Sequence, residues 1–278
     1  MTRTGQLSPT TARRIEVSTT FGPIAGLRSG TDGAPDVLLL PGFTGSKEDF
    51  TPLLDPVADA GFRATAIDLP GQYESPGCDD PTCYSPDRLG ATVHAVAQQL
   101  SGPVHLVGHS FGGLVARAAV IADSAPFADL VLMSSGPAAI TGLRRQRLDD
   151  LEPLLPAGLA AVYDVMHTAI EAEADYLAPP PELADFLRRR FLSGSPAMLA
   201  GMGTALRTEP DRVEELATKL IDILVLWGTA DDAWPPEAQA RMAERLSARA
   251  VAVEDAAHSP AVENTAATAA ALVQFWRR

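Results

Sequence analysis

The segment Gly108-His109-Ser110-Phe111-Gly112 places a serine between two glycines, directly after an apolar run and before an apolar, helix-forming run. This is the G-x-S-x-G pattern of a sharp turn from a strand into a helix, in which small neighbours allow close packing and leave the serine hydroxyl accessible. The helix N-terminus behind the serine favours negative charge that develops there. The context therefore predicts that Ser110 is a nucleophile rather than an ordinary turn residue.

A serine hydroxyl is a weak nucleophile at neutral pH, so it needs a general base, and the base needs an orienting acceptor. His258 lies in the loop AAHSP, between the last predicted strand and the C-terminal helix. Asp231 and Asp232 follow the buried strand ILVLW, at the end where an open α/β sheet places its active-site groups. In an extended loop adjacent side chains point to opposite sides, so only one of the two carboxylates can face His258.

The other four of the five histidines are interpreted as structural. His167 falls in a predicted helix of the inserted segment described below, and His94 on the surface of another helix. His105 occupies a strand position, and His109 belongs to the turn around the serine. The chain order of the candidate catalytic residues is therefore serine, aspartate, histidine.

The elements that must position these residues are indicated by alternating patterns along the chain. Short β-rich or apolar runs predict strands at residues 14–18, 24–28, 36–40, 64–68, 104–107, 129–134, 221–226 and 250–253. Helical spacing predicts helices at residues 49–60, 86–100, 111–122, 236–246 and 260–275. Strands that alternate with helices predict an α/β fold, with a mostly parallel central sheet and helices on both faces.

One segment, residues 139–219, breaks the alternation because it contains no convincing strand. A structureless connection of roughly 80 residues is implausible in a compact domain, so the segment is predicted to be helical. Leu151, Leu154, Leu155, Leu159 and Val162 recur there at amphipathic spacing. We therefore expect a helical cap inserted between the sixth and seventh strands of a core domain made of residues 1–138 and 220–278.

Together these motifs resemble the α/β-hydrolase fold superfamily, over nearly the full chain from about Ile15 to Trp276. The stretch LLLPGFTGSKEDF resembles the family's loop after the third strand, and DLPGQYES its fourth-strand motif. The stretches WGTADDAWPP and AAHSP resemble its acid and histidine loops. The resemblance implies that Asp231 is the acid that orients His258, and that Asp232 faces solvent or helps to order its loop.

The resemblance also implies an oxyanion hole formed by the backbone N–H groups of Phe43 and Phe111. Two positions nearby depart from the family pattern. Many members have His-Gly where this chain has Pro41-Gly42, which keeps the amide of Phe43 but loses an imidazole that braces the loop. Many members also keep a second glycine where this chain has Gln72-Tyr73. Neither departure affects the three candidate catalytic side chains.

Large apolar residues of the cap and the nearby loops are candidates for an acyl pocket, although many will simply pack the cap onto the sheet. The candidates are Phe43, Tyr163, Met166, Tyr176, Phe191, Met198, Met202 and Trp234. Such a pocket would accept small or medium apolar acyl or alcohol groups.

The activity implied by the resemblance is that of a serine hydrolase, which cleaves a carboxylic ester through an acyl-enzyme on Ser110 and requires neither metal nor organic cofactor. In this superfamily the same triad also serves thioester, lactone, amide or carbon–carbon bond hydrolysis, or cofactor-free perhydrolysis, and the fold does not select among them. Dehalogenase and epoxide-hydrolase relatives place Asp at the position of Ser110. A ligand-binding member without turnover is a further alternative, against which the presence of all three triad residue types argues.

Composition limits the partners that this chain can have. Its 22 Lys and Arg against 35 Asp and Glu give a net charge of −13 over 278 residues, which disfavours nucleic-acid binding. No apolar run reaches the length of a membrane span, and the N-terminal residues lack the apolar stretch of a signal peptide. We therefore expect a cytoplasmic enzyme with a small-molecule substrate; its oligomeric state is open.

Cys78 and Cys83 could form a small disulfide loop, but two free thiols are favoured in a reducing compartment.

Overall fold

The computed structural model describes residues 5–19, 21–172 and 177–277. Within them, eight strands form one sheet in the order β1-β2-β4-β3-β5-β6-β7-β8. The strands are β1 (Arg13–Thr19), β2 (Gly22–Ser29), β3 (Asp36–Leu40), β4 (Arg63–Ile67), β5 (Val104–His109), β6 (Phe127–Met133), β7 (Asp222–Gly228) and β8 (Arg249–Val253). β2 runs antiparallel to β1 and β4, and the remaining pairs are parallel. The predicted mostly parallel sheet is confirmed, and every predicted strand overlaps an observed one.

Helices cover both faces of the sheet. They are α1 (Thr51–Asp59), α2 (Pro86–Ala97), α3 (Phe111–Ala122), α4 (Gly142–Leu151), α5 (Leu159–Glu171), α6 (Pro181–Leu192), α7 (Pro196–Thr208), α8 (Val213–Ala217), α9 (Pro236–Leu246), α10 (Pro260–Glu263) and α11 (Thr265–Trp276). Successive side chains of β3 point to opposite faces, so Leu38 and Leu40 pack in the core that holds α2, α3 and α9. Val37 and Leu39 pack in the second core, with α1 and α11. This two-sided burial explains why β3 is apolar throughout.

The chain between β6 and β7 is helical where it is described, and it carries α4 to α8. The apolar spacing that runs from Leu151 to Val162 does not form one continuous helix. α4 ends at Leu151, a 3-10 helix covers Glu152–Ala157, and α5 begins after Gly158 at a φ of 89°. Pro153 and Pro156 supply no backbone N–H, and the left-handed conformation favours glycine, so the chain turns at this point.

The predicted C-terminal helix is also divided, because Asn264 leaves the helical conformation between α10 and α11. The Asn264 side chain accepts a hydrogen bond from the N–H of Ala267 and so caps α11. The short α10 directly follows the predicted histidine loop. None of the helices in the described ranges has the length and apolar character that a membrane span requires.

Candidate active site

Ser110 lies between the last residue of β5 and the first residue of α3. Its backbone has φ 54° and ψ −120°, a strained conformation for a residue with a side chain. The turn is closely packed, because a Cβ on Gly108 would overlap the backbone of Gly112, and one on Gly112 would overlap the carbonyl of Leu40. The local sequence therefore holds the serine on a sharp turn at the carboxyl end of the central strand.

His258 lies beside this turn and connects Ser110 with Asp231. Its Nε2 is 2.9 Å from Ser110 Oγ, and its Nδ1 is 2.9 Å from Asp231 Oδ1. With Nδ1–H donating to the carboxylate, Nε2 is free to accept the serine proton. The structure thus brings together three side chains that are 148 and 27 residues apart in the sequence.

The carboxylate of Asp231 is completely buried and fully hydrogen-bonded. In addition to His258, Oδ1 accepts the N–H of Ala233 at 2.9 Å, and Oδ2 accepts Nε2 of Gln239 at 2.8 Å. Burial alone would raise the pKa of Asp231, but the hydrogen bonds and the charge of His258 outweigh it and hold the pKa below its ordinary value. Asp231 is therefore a permanent acceptor for the imidazole at neutral pH. No motif in the sequence indicates the contact with Gln239.

Asp232, the neighbouring carboxylate, points away from His258. Its side chain is 54% exposed and forms a bidentate ion pair with Arg144 of α4, whose Nε and Nη2 donate to the two carboxylate oxygens at 2.9 and 2.7 Å. Burial opposes ionisation, yet this pair lowers the pKa of Asp232. The two carboxylates thus have separate environments, and Asp232 connects the acid loop to α4.

The backbone around His258 is held on both sides. Oε2 of Glu263, in α10, accepts the N–H of Ala257 at 2.7 Å and the N–H of Ser259 at 3.0 Å. Nε2 of His109 lies 2.7 Å from the carbonyl oxygen of His258, which can only accept. Burial, together with the nearby His258, lowers the pKa of His109 to about 4, so its ring is neutral at physiological pH. No motif in the sequence indicates this contact of Glu263.

The two predicted oxyanion donors belong to segments that adjoin Ser110. Phe111 is the first residue of α3, where backbone N–H groups have no partner within the helix. Phe43 occupies the second position of a turn in which the Gly45 N–H donates a hydrogen bond to the Gly42 carbonyl at 3.1 Å. A Cβ on Gly42 would lie only 3.1 Å from the Cβ of Ser110, so this loop approaches the serine closely.

A cavity of about 490 Å³ opens onto Ser110 and His258. Its volume is typical of small-molecule sites, which measure roughly 300–1,000 Å³. Phe43, Met166 and Trp234 line it, as the sequence suggested. It is lined further by Ile140, Leu148, Leu151, Val165, Ala169, Ile170 and Leu206.

The other pocket candidates lie elsewhere. Tyr163 and Phe191 pack together in a small apolar cluster between the inserted helices, and Phe191 also lines a separate, minor cavity with Met198. Met202 is buried in the core. Tyr176 lies outside the described residues. The apolar residue type therefore did not distinguish cavity lining from packing between helices.

The remaining histidines occupy other parts of the fold. His105 in β5 pairs with Asp129 at 2.7 Å, and His167 lies in α5. The prediction for His94 needs correction: its ring is partly buried against α3, with Nε2 2.9 Å from the Ala119 carbonyl, because α2 packs closely on α3. Among the described residues, no group of three or more His, Cys, Asp or Glu side chains could hold a metal ion. Cys78 and Cys83 are free thiols.

Comparisons with known proteins agree with this architecture. A pimeloyl-[acyl-carrier protein] methyl ester esterase of Aeromonas hydrophila subsp. hydrophila is 28% identical over 238 residues, which cover 83% of this chain and 91% of the relative. The dihydrolipoyllysine-residue acetyltransferase component of the acetoin cleaving system of Cupriavidus necator is 28% identical over 73% of this chain, which spans only 54% of that protein's length. A solved thermophilic esterase from Thermogutta terrifontis has the same fold, with a TM-score of 0.76 and 23% identity over 96% of this chain and 98% of that one.

The sequence model of one family, described as the alpha/beta hydrolase family, matches residues 37–271. This range includes most of the sheet, the turn at Ser110 and the loops of Asp231 and His258. The match agrees with the eight-stranded sheet and confirms the resemblance inferred from the motifs. The chain belongs to the alpha/beta hydrolase family.

Proposed function

We propose that this protein is a serine hydrolase that cleaves a carboxylic ester of a small or medium-sized apolar substrate. The observation that carries the proposal is the continuous chain of hydrogen bonds from Ser110 through His258 to Asp231, at 2.9 Å each, at the edge of the cavity of about 490 Å³. Ester hydrolysis is also the activity for which the Aeromonas relative is named.

Acylation begins when Nε2 of His258 takes the proton of Ser110 as the hydroxyl oxygen attacks the ester carbonyl. The imidazole becomes a cation, which the buried carboxylate of Asp231 stabilises while it fixes the ring orientation. The carbonyl oxygen becomes negatively charged, and the N–H groups of Phe43 and Phe111 stabilise it. His258 then protonates the leaving alcohol, and the acyl group stays on Ser110.

Deacylation repeats these steps with water. His258 takes a proton from the water as its oxygen attacks the acyl carbonyl, and the second tetrahedral intermediate uses the same oxyanion donors. Collapse releases the carboxylic acid and returns the proton to Ser110. Both half-reactions use only these three side chains, the two backbone N–H groups and water.

The substrate's apolar part is assigned to the cavity, with Phe43, Met166 and Trp234 among the residues that contact it. We assign residues 139–219 to a cap domain and residues 1–138 and 220–278 to the core. α4 and α5 contribute Leu148, Met166 and their apolar neighbours to the cavity wall, which supports this division. The role of the cap would be to select among acyl or alcohol groups.

The central test is Ser110→Ala, assayed on a panel of nitrophenyl esters of increasing acyl length. Turnover should fall by about 10⁴- to 10⁶-fold with the thermal unfolding midpoint preserved, because the nucleophile is lost while the fold is kept. A fluorophosphonate should label the wild-type enzyme on Ser110, as located by peptide mass spectrometry.

Ser259→Ala is the matched control, because Ser259 lines the same cavity but its hydroxyl lies outside the proposed catalytic chain. This variant should stay labelled and within about tenfold of wild-type turnover. Labelling at a residue other than Ser110, or full activity of Ser110→Ala, would exclude the mechanism. A wild-type protein with no turnover on any ester and no label would favour the ligand-binding alternative.

A further inference from the structure

Gln72 is a buried polar residue to which the proposed mechanism gives no role. It follows β4 and is only 2% exposed. Its Nε2 donates to the carbonyl oxygen of Gly42 at 2.7 Å and lies 3.4 Å from that of Phe43. Its Oε1 accepts the N–H of Leu69 at 2.9 Å. Because Oε1 is held in this way, the amide nitrogen of the same side chain is directed at the Phe43 loop.

The acceptor of this hydrogen bond belongs to a critical peptide unit. The carbonyl of Gly42 and the N–H of Phe43 share one planar peptide group and point in opposite directions when the bond is trans, as it is here. A donor that fixes the Gly42 oxygen therefore fixes the direction of the Phe43 N–H. The Gly45 N–H is a second donor to the same oxygen, at 3.1 Å. Hydrogen bonds to a peptide carbonyl also strengthen its N–H as a donor.

Gln72 is itself held rigidly. Its N–H donates to the carbonyl of Leu69 at 2.9 Å, and its carbonyl accepts the N–H of Ser75 at 2.8 Å. A buried ion pair joins the same two loops, since Lys47 donates to Asp68 through its backbone N–H at 2.7 Å and through Nζ at 2.8 Å. This pair joins the two loops, while the Gln72 amide is the side-chain contact that acts on the Gly42–Phe43 peptide plane.

We propose that Gln72 is a positioning residue that orients the N–H of Phe43 toward the oxyanion; this inference rests on the proposed serine hydrolase function. Position 41 is proline, which offers no side-chain donor to the loop. The Gln72 side chain, which accepts from Leu69 and donates to Gly42, supplies this loop with a side-chain hydrogen bond from the β4 loop. The two departures from the family pattern, at Pro41 and at Gln72, therefore complement each other.

The test uses two variants of the full-length enzyme. Gln72→Met keeps the length of the side chain but removes both hydrogen bonds. Gln72→Glu keeps the acceptor for Leu69 and places an oxygen, not a donor, against the Gly42 carbonyl. We expect kcat on a nitrophenyl ester to fall by about 10- to 100-fold in each, since loss of a whole oxyanion donor costs about 10²- to 10³-fold. KM should stay within about threefold, because the contact acts on the transition state.

A second readout separates positioning from general damage. A trifluoromethyl ketone adds to the serine and carries its oxygen in the oxyanion site, whereas the carboxylic acid product does not form this adduct. The affinity for the ketone should fall by the same factor as kcat/KM, and that for the acid should stay at the wild-type value. Gln99→Met is the control for the same substitution outside the cavity, because Gln99 follows α2 and its amide donates to the Ser18 carbonyl of β1 at 2.6 Å.

Wild-type kcat and ketone affinity in Gln72→Glu and Gln72→Met would overturn the inference and leave the proposed function intact. An equal loss of ketone and product binding would also overturn it, because the site would be generally disturbed. If Gln72→Met fails to fold, as judged by its thermal unfolding midpoint, Gln72→Glu decides. A wild-type enzyme with neither esterase activity nor label on Ser110 would overturn the proposed function itself, and this inference with it.

Discussion

The cavity has two walls of different construction. Its floor consists of the loops at the carboxyl ends of β3, β5, β7 and β8, with the β4 loop hydrogen-bonded behind it through Gln72, and its roof of residues from α4 to α7. In the floor, polar groups are buried and tightly hydrogen-bonded: Gln72 is 2% exposed and Asp231 4%. In the roof, α4 buries only Leu148, and the acidic partners in the ion pairs of Arg145 with Asp149 and of Arg207 with Glu152 are about half exposed.

This difference follows from the energetics of polar groups. A buried donor or acceptor that loses its partner costs about 1–3 kcal/mol, so the polar network of the floor tolerates little displacement. An exposed ion pair contributes only about 0–1 kcal/mol, so the roof can shift and exchange residues at low cost. We therefore expect changes in the floor to affect the chemical step for every substrate, and changes in the roof to affect the choice of substrate.

The largest contrast is expected between the adjacent carboxylates Asp231 and Asp232. Asp231→Asn should lower turnover by about 10⁴-fold, because an amide offers the imidazole the wrong partner. Asp232→Asn should stay within about tenfold of wild type, since it loses only the half-exposed pair with Arg144. Steady-state kinetics of the two single variants and the double variant measure this.

The pair with Arg144 holds Asp232 away from His258, so Asp232 should not replace its neighbour. The double variant should therefore resemble Asp231→Asn. A large loss in Asp232→Asn with a nearly normal Asp231→Asn would reverse the roles of the two residues and place the acid at the boundary between floor and roof.

The second contrast concerns His109 and the acid stability of the floor. Burial holds the pKa of His109 at about 4, below the ordinary value of 6.5, so the unfolded chain binds a proton there at a higher pH than the folded chain does. As the pH falls from 6.5 toward 4, preferential protonation of His109 in the unfolded chain should lower the free energy of unfolding by up to roughly 3 kcal/mol. His109→Gln can keep the donor to the His258 carbonyl without a titratable ring, so its stability should fall less over this interval.

Urea unfolding of wild type and His109→Gln at a series of pH values measures the difference. Asp68 has the opposite effect on stability. Burial raises its pKa to about 6, so its ionisation disfavours the folded state as the pH rises. Its contribution is the same in both proteins and cancels in the comparison. Parallel profiles for the two proteins would mean that His109 titrates alike in the folded and unfolded chains.

Much of the floor was predictable from the sequence because its elements depend on local patterns. Runs rich in β-forming or apolar residues indicated each strand, and the glycines around Ser110 indicated the turn that leads into α3. The strand ends then indicated where Asp231 and His258 lie. Since a parallel sheet places the loops after its strands along one edge, the prediction of a mostly parallel sheet already brings these loops together.

The bracing contacts were not predictable, because they join residues without periodic spacing. Gln72 and Gly42 are 30 residues apart, and Gln72 stood out only as a departure from a motif. Glu263 reaches the backbone around His258 from the last position of α10, and no motif marks it. Roof residues were harder still, since Phe191 has the same apolar character whether it faces the cavity or another helix.

A third prediction tests the brace of the histidine loop by Glu263. Glu263→Ala removes the acceptor for the N–H groups on both sides of His258 and should lower kcat/KM by about tenfold, since small displacements of a catalytic group are costly. Glu263→Gln retains a carbonyl oxygen that can accept both, so it should recover to within about threefold of wild type. Equal losses in the two variants would point to the negative charge of Glu263 instead of its geometry.

The smallest effect on the chemistry is expected from the roof, where two methionines form a matched pair. Met166 of α5 lines the cavity, whereas Met198 of α7 lies outside it, near Gly71 and Gly194. Met166→Ala enlarges the cavity and should shift the ratio of kcat/KM for octanoate over acetate nitrophenyl esters by about three- to tenfold, the scale of a missing apolar contact in a hydrophobic pocket. Met198→Ala should lower the thermal unfolding midpoint but leave this ratio unchanged. If both variants change the ratio equally, selectivity depends on the packing of the whole roof. If neither variant changes it, the acyl chain lies against the floor alone, and the roof does not select the substrate.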